Sequence, residues 1–149
     1  MELKNVLKKN CMCILQSTDK NEALMELIRL LVESGEIHDI EKTKEQILYR
    51  ENLMSTGIGL GVGIPHVRIE NIDHPIMAIG VSPDGIDNYE SIDDDNVWLL
   101  VMIIAGEEQH KEYIMLMSSI LSKIKSGTTI EDLQEAASAE EIFNILAEE

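Results

Sequence analysis

Between residues 55 and 66 the chain reads Ser55-Thr56-Gly57-Ile58-Gly59-Leu60-Gly61-Val62-Gly63-Ile64-Pro65-His66, an uncharged run that sets four glycines within seven residues and ends on a histidine. Glycines at that density disfavour the interior of a helix or strand and point to tight turns, or to backbone that passes close to something bound. Pro65 fixes its own backbone angle and pushes Ile64 into an extended conformation. The run predicts a pliable loop with a stiff exit, and His66 sits at that exit.

The chain has 149 residues, 44% of them hydrophobic, which is enough for one core and one domain over 1–149. Twelve basic residues face 28 acidic ones, a formal net charge of −16. That balance excludes the basic patches on which nucleic-acid binding depends, and it suits a soluble protein that meets a basic partner. The longest apolar run, Val97 to Ala105, is less than half of the ~20 residues a spanning helix needs, so it predicts a buried strand and no membrane insertion. Residues 1–7 lack the basic start, long apolar stretch and cleavage site of a signal peptide, which implies a cytoplasmic location. Cys11 and Cys13 would share one face of a strand, poorly placed for a mutual disulfide, and read as small apolar side chains.

Periodicity alternates along the chain. With Thr18 or Asp19 as cap, Ala23, Leu24, Leu27, Ile28 and Leu31 recur at helical spacing until Gly35. A second cap at Thr43 precedes Ile47 and Leu48, and this shorter helix carries Arg50 to the threshold of the glycine run. Ile76 to Val81 and Val97 to Ala105 read as central strands separated by the turns Ser82-Pro83-Asp84-Gly85 and Asp93-Asp94-Asp95-Asn96. An amphipathic helix follows, with His110 in its first turn and Tyr113, Met117, Ile120, Leu121 and Ile124 on one face. A last helical region, 130–147, contains Ser138 as an internal cap. The sum is an α/β domain with helices over a sheet.

Three chemistries compete for the glycine run and the histidines. Loop amides could cradle an anion, yet no Lys-Ser or Lys-Thr pair directly follows the glycines and no dinucleotide fingerprint is completed. Metal binding by His38, His66, His74 and His110 lacks the short or i,i+4 spacings of zinc sites, and His38 and His74 read as solvated surface groups. Nucleophilic catalysis needs a neutral, accessible imidazole, which His66 fits best. A phosphoryl group on that imidazole would require donors without negative charge, and Arg50, His110, Ser55 or Thr56 and the backbone near Gly57 could supply them. Spacing alone leaves a purely structural histidine open.

Arg50-Glu51 followed by Ser55 to His66 resembles the signature of the fructose/mannitol-type enzyme IIA domains of the bacterial phosphotransferase system. The similarity extends to the Asp19-Lys20 helix start, the Val97 to Ala105 strand, His110 at a helix start and the carboxy-terminal helices. The resemblance implies an α/β fold with a mixed central sheet flanked by helices. It implies that His66 accepts a phosphoryl group from HPr, or an HPr-like phosphocarrier, and passes it to a IIB component, with Arg50 and His110 assisting. A nitrogen-type regulatory branch of the same family uses the phosphorylated histidine to control binding to target proteins. No metal or diffusible cofactor is implied, and the basic face of HPr gives the acidic excess a purpose in docking. Gly63 stands where the family usually has alanine, and Val67 where a small residue is common.

Overall fold

An apolar run with no polar interruption needs cover on both faces of its sheet, and the fold is arranged to supply it to Val97–Ala105. In the computed structural model, which describes residues 3–148, two 3-10 turns (Leu3–Asn5, Lys9–Cys11) lead into β1 (Met12–Ile14), α1 (Lys20–Glu33) and α2 (Ile40–Leu53). Four strands follow, β2 (Gly57–Gly59), β3 (Val62–Gly63), β4 (His66–Ile69) and β5 (Ile76–Ile86), and then β6 (Val97–Gly106). Three helices, α3 (His110–Ile124), α4 (Thr129–Gln134) and α5 (Ala139–Ala147), complete the chain.

The sheet is mixed, in the order β1-β5-β6-β3-β2, with β4 also pairing with β6. On one flank of β6, β5 runs antiparallel with Ala78 opposite Met102, and β1 lies parallel beyond it. On the other flank β3 and β4 both run parallel to β6, with Gly63 opposite Leu100 and His66 opposite Ile103. Between them the Pro65 carbonyl still accepts from the Ile103 amide at 3.0 Å. Residues 62–69 thus follow β6 as one line, broken beside the residue that has no N–H to give to a ladder.

Side chains alternate across β6 as a two-residue period requires. Leu99, Val101 and Ile103 enter a core with Tyr113, Leu116 and Ile120 of α3 and Ile142 and Leu146 of α5. Leu100, Met102 and Ile104 enter a second core with Leu24, Leu27, Ile28 and Leu31 of α1 and Ile47 of α2. Among the described residues no helix is long and apolar enough to cross a membrane.

Local signals explain most element boundaries, with corrections. Asp19 caps α1 by accepting from the Glu22 amide, and Gly35 follows its end at φ 82°. The second helix begins earlier than Thr43 suggests: Asp39 is its cap, accepting from the Lys42 amide at 2.9 Å, and Thr43 is buried inside it. The segment Ser82-Pro83-Asp84-Gly85 is no turn; β5 runs through it, its register with β6 slipping between Val81 and Ile86. A bulged, outward stretch of strand tolerates a proline because that residue owes the ladder no amide. Cys11 closes a 3-10 turn, so it does not share a strand face with Cys13.

The glycine run is also not a pliable loop. β2 and β3 form a buried hairpin turned by Leu60 (φ 59°) and Gly61 (φ 80°), whose paired left-handed angles match the twist of the strands. Asp93 holds the tip by accepting from the Leu60 amide at 3.1 Å. At the base a Cβ on Gly57 would stand 2.1 Å from the backbone oxygen of Glu90. Backbone cannot swing aside as a side-chain end can, so Gly57→Ala is expected to cost about 1–3 kcal/mol. Thermal unfolding by circular dichroism should show a fall in Tm of roughly 2–4 °C per kcal/mol; an unchanged Tm would mean that the 55–63 backbone is looser than its packing implies.

Candidate functional site

His66 opens β4, and its pairing with Ile103 puts it beside the core that α3 covers. Its ring lies 5.4 Å from that of Tyr113, tilted by 50°. Nδ1 sits 2.7 Å from the Ile64 carbonyl oxygen. A carbonyl can only accept, so Nδ1 carries the proton and Nε2 of the neutral ring keeps its lone pair. Burial lowers the His66 pKa below the usual histidine value, and the Arg50 charge lowers it further against the opposing pull of the Ile64 carbonyl and Glu51. The ring is half-buried rather than fully exposed, and that burial is what keeps it neutral.

Arg50 comes from the last turn of α2, where its Nη1 donates to the Met54 carbonyl at 3.0 Å and its Nη2 lies 3.5 Å from His66 Nε2. The guanidinium is therefore held at the nitrogen that bears the lone pair. His110, the first residue of α3, is exposed. Its ring is 6.4 Å from Tyr113, so Tyr113 is a ring neighbour of both histidines. Sequence periodicity places Tyr113 on the apolar face of α3, which is correct, but only the tertiary register brings that face to His66.

Ser55, Thr56 and Gly57 are less available than the sequence implies. The Ser55 hydroxyl donates to the Glu90 carbonyl at 2.7 Å. Thr56 is buried, with its amide 3.2 Å and its hydroxyl 2.5 Å from the two carboxylate oxygens of Glu51. Gly57 is buried in the hairpin opposite Gly63. These three residues form a packed wall in which the hydroxyl of Ser55 and both donors of Thr56 are already engaged.

That wall rests on a buried charge that sequence reading left unassigned. Glu51 is 3% exposed, and Lys20 Nζ lies 3.1 Å from its carboxylate. The same ammonium reaches the Ser55 hydroxyl at 3.4 Å and lies 4.3 Å from the centre of the Tyr89 ring. The Tyr89 hydroxyl is 2.8 Å from that of Thr56. Burial first, and the Glu51 charge next, raise the Tyr89 pKa, so the phenol stays protonated. A carboxylate so enclosed is tolerated because it is paired and hydrogen-bonded on both oxygens. The Tyr89 ring also fills the space at Gly63: a Cβ there would come within 2.9 Å of it. Gly63 is thus matched by the aromatic ring packed over it.

The remaining candidates lie away from this cluster. His38 is exposed. His74 lies 3.5 Å from Glu36 with 60% of its side chain exposed. Burial pushes the Cys13 thiol up to about 12, which denies it thiolate reactivity. Among the described residues no group of three or more His, Cys, Asp and Glu is placed to hold a metal ion.

Known proteins match this chain along nearly its whole length. It is 32% identical over 147 residues to the PTS system fructose-specific EIIABC component of Bacillus subtilis, covering 98% of this chain but only 23% of that protein. It is 30% identical over 129 residues to the PTS system fructose-specific EIIA component of Haloferax volcanii, covering 87% of this chain and 83% of the relative. Among solved structures, nitrogen regulatory protein IIA-Ntr from Neisseria meningitidis superposes with a TM-score of 0.84 at 25% identity, over 97% of this chain and 98% of that one. The profile of the family described as "Phosphoenolpyruvate-dependent sugar phosphotransferase system, EIIA 2" matches residues 5–149, and the chain belongs to that family.

Proposed function

We propose that this protein is a phosphohistidine carrier in which His66 Nε2 accepts a phosphoryl group from HPr, or an HPr-like phosphocarrier, and delivers it to a IIB component. One observation carries the reading: Nδ1–H is bound to a carbonyl while Nε2, left with its lone pair, faces the Arg50 guanidinium. As Nε2 forms its bond to phosphorus, the donor's P–N bond breaks and its electron pair stays with the donor nitrogen. No proton need leave His66. The Ile64 carbonyl stabilises the positive charge that the phosphorylated ring gains, and Arg50 offsets the charge on the transferring oxygens. Catalysis of this kind is positioning plus electrostatics.

The surface supports docking. Tyr49, Leu53 and Met54 at the end of α2, and Ile114 and Met115 just beyond His110, are exposed apolar side chains on the two elements that flank His66. Such a patch, set in a protein of net charge −16, suits a partner with an apolar centre and a basic rim. The name of the Bacillus subtilis relative joins an A portion to B and C portions, which supports a IIB component as the acceptor. The likeness to IIA-Ntr supports a second reading, in which the phosphorylation state of His66 controls binding to a target protein.

Incubation with enzyme I, HPr and phosphoenolpyruvate, followed by intact mass, should show one acid-labile phosphate on wild type and none on a folded His66→Ala variant. Phosphate retained by that variant would move the site elsewhere. Arg50→Ala should keep the site but slow transfer about a hundredfold, the scale of one lost transition-state donor; a wild-type rate would remove Arg50 from the mechanism. Addition of a fructose-type IIB should then discharge the carrier, whereas a stable phosphoprotein whose target binding changes with phosphate favours the regulatory reading.

The ring's titration gives an independent check. Because burial and Arg50 both depress the His66 pKa, the nucleophilic neutral form persists above pH 6.5 and is lost only when pH falls through a midpoint below that value. NMR titration should place that midpoint under 6.5, and Arg50→Ala should move it upward. A wild-type midpoint above 6.5 would contradict the neutral, buried nucleophile.

A further inference from the structure

The bonds that begin at the buried carboxylate continue past Thr56. Glu51 accepts from the Thr56 amide (3.2 Å), the Thr56 carbonyl accepts from the Ile64 amide (3.1 Å), and the Ile64 carbonyl accepts from His66 Nδ1 (2.7 Å). Building on the phosphohistidine reading above, we propose that Glu51 is a positioning residue, which sets the tautomer and orientation of His66 through Thr56 and Ile64 and so selects Nε2 as the reacting nitrogen.

What travels along this line is position. The line enters Thr56 and Ile64 at the amide and leaves at the carbonyl, so the peptide plane on each side of each residue is fixed. The segment needs such an anchor because the ladder along β6 is interrupted between β3 and β4, where the Ile64 carbonyl must be held. The same segment also fixes Arg50, whose Nη1 donates to the Met54 carbonyl two residues before Thr56. One buried carboxylate therefore steadies both the lone-pair nitrogen and the cation beside it. Lys20 balances its charge at 3.1 Å, and the Thr56 hydroxyl ties its second oxygen.

A merely stabilising ion pair would leave the imidazole tautomer alone, which makes the tautomer the measurement. Long-range proton–nitrogen NMR of the unphosphorylated protein should show His66 protonated at Nδ1 in wild type and in Thr56→Ser, which keeps the hydroxyl. In Glu51→Leu, which takes the acceptor away from the Thr56 amide, the ring should become a mixture of both tautomers, and phosphorylation by HPr should slow about tenfold or more, as small misplacements of a reacting atom do. A folded Glu51→Leu protein with the single wild-type tautomer and the wild-type rate would overturn the proposal. Should Glu51→Leu fail to fold, the double variant Lys20→Met/Glu51→Leu decides by the same two readouts, since it removes the buried pair together and leaves neither charge uncompensated. The tautomer is read without any donor, so a wild type that shows the Nδ1–H form, shifts in the variants as expected and takes no phosphate would overturn the proposed function while upholding the role of Glu51.

Discussion

The parallel pairing of residues 62–69 with β6 is the constraint on which the rest of the structure depends. Val97–Gly106 is covered on both faces by helices and bonded on both flanks by strands, which makes it a well-held reference line. His66 takes its place by register with Ile103. A slip of one residue would turn every side chain of β4 to the other face and would carry the imidazole away from Tyr113. The interruption at Ile64-Pro65 is equally consequential, because it leaves the Ile64 carbonyl to accept from a side chain, and that side chain is His66.

Helix ends supply the polar half of the site. α2 delivers Arg50 in its last turn and Glu51 one position later, and neighbouring residues on a helix do not face the same direction. That offset separates a cation near the imidazole from an anion buried in the wall. The arrangement keeps the carboxylate behind Thr56, where its charge anchors that residue's amide. A negative group at the position of Arg50 would repel the phosphoryl oxygens of the proposed transfer; Glu51 is buried and balanced by Lys20, and what remains of its charge at His66 acts against the guanidinium's effect on the ring.

Much of this was legible from residue order, and the misses have physical reasons. Capping chemistry announces α1 at Asp19 and α5 at Ser138 because a side-chain oxygen bonded to an amide is a local event. The start of α2 was harder, since Asp39 and Thr43 can both cap and only the packing of Thr43 in the interior decides between them. The passage of β5 through Ser82-Pro83-Asp84-Gly85 could not be seen, because a bulge uses the same residues as a turn and the choice is made by the partner strand. His66 and Arg50 were expected as a nucleophile and a donor, and the fold brings the two side chains together. Glu51 and Lys20 were passed over because 31 residues separate them along the chain and each alone resembles an ordinary surface charge. Tyr89 was hidden by distance in the same way.

The burial of His66 resolves a conflict between reactivity and access. A fully exposed imidazole would be readily reached but partly protonated near neutrality, and its two tautomers would divide the lone pair between nitrogens. Full burial would hold one neutral tautomer but shut out the partner. The half-buried ring, with one nitrogen fixed on a carbonyl and the other beside a guanidinium, keeps a neutral nucleophile at a surface. The guanidinium also lowers the imidazole's own affinity for protons, so in the proposed transfer one side chain would promote both the neutral form of the acceptor and the approach of what it accepts. In the proposed carrier a phosphorylated ring would bear positive charge, the carbonyl at Nδ1 would offset it, and the guanidinium would meet phosphate oxygens instead of a bare nitrogen. Fixed groups that suit both the empty and the loaded ring would store the phosphoryl group without trapping it, the property that the proposed relay requires.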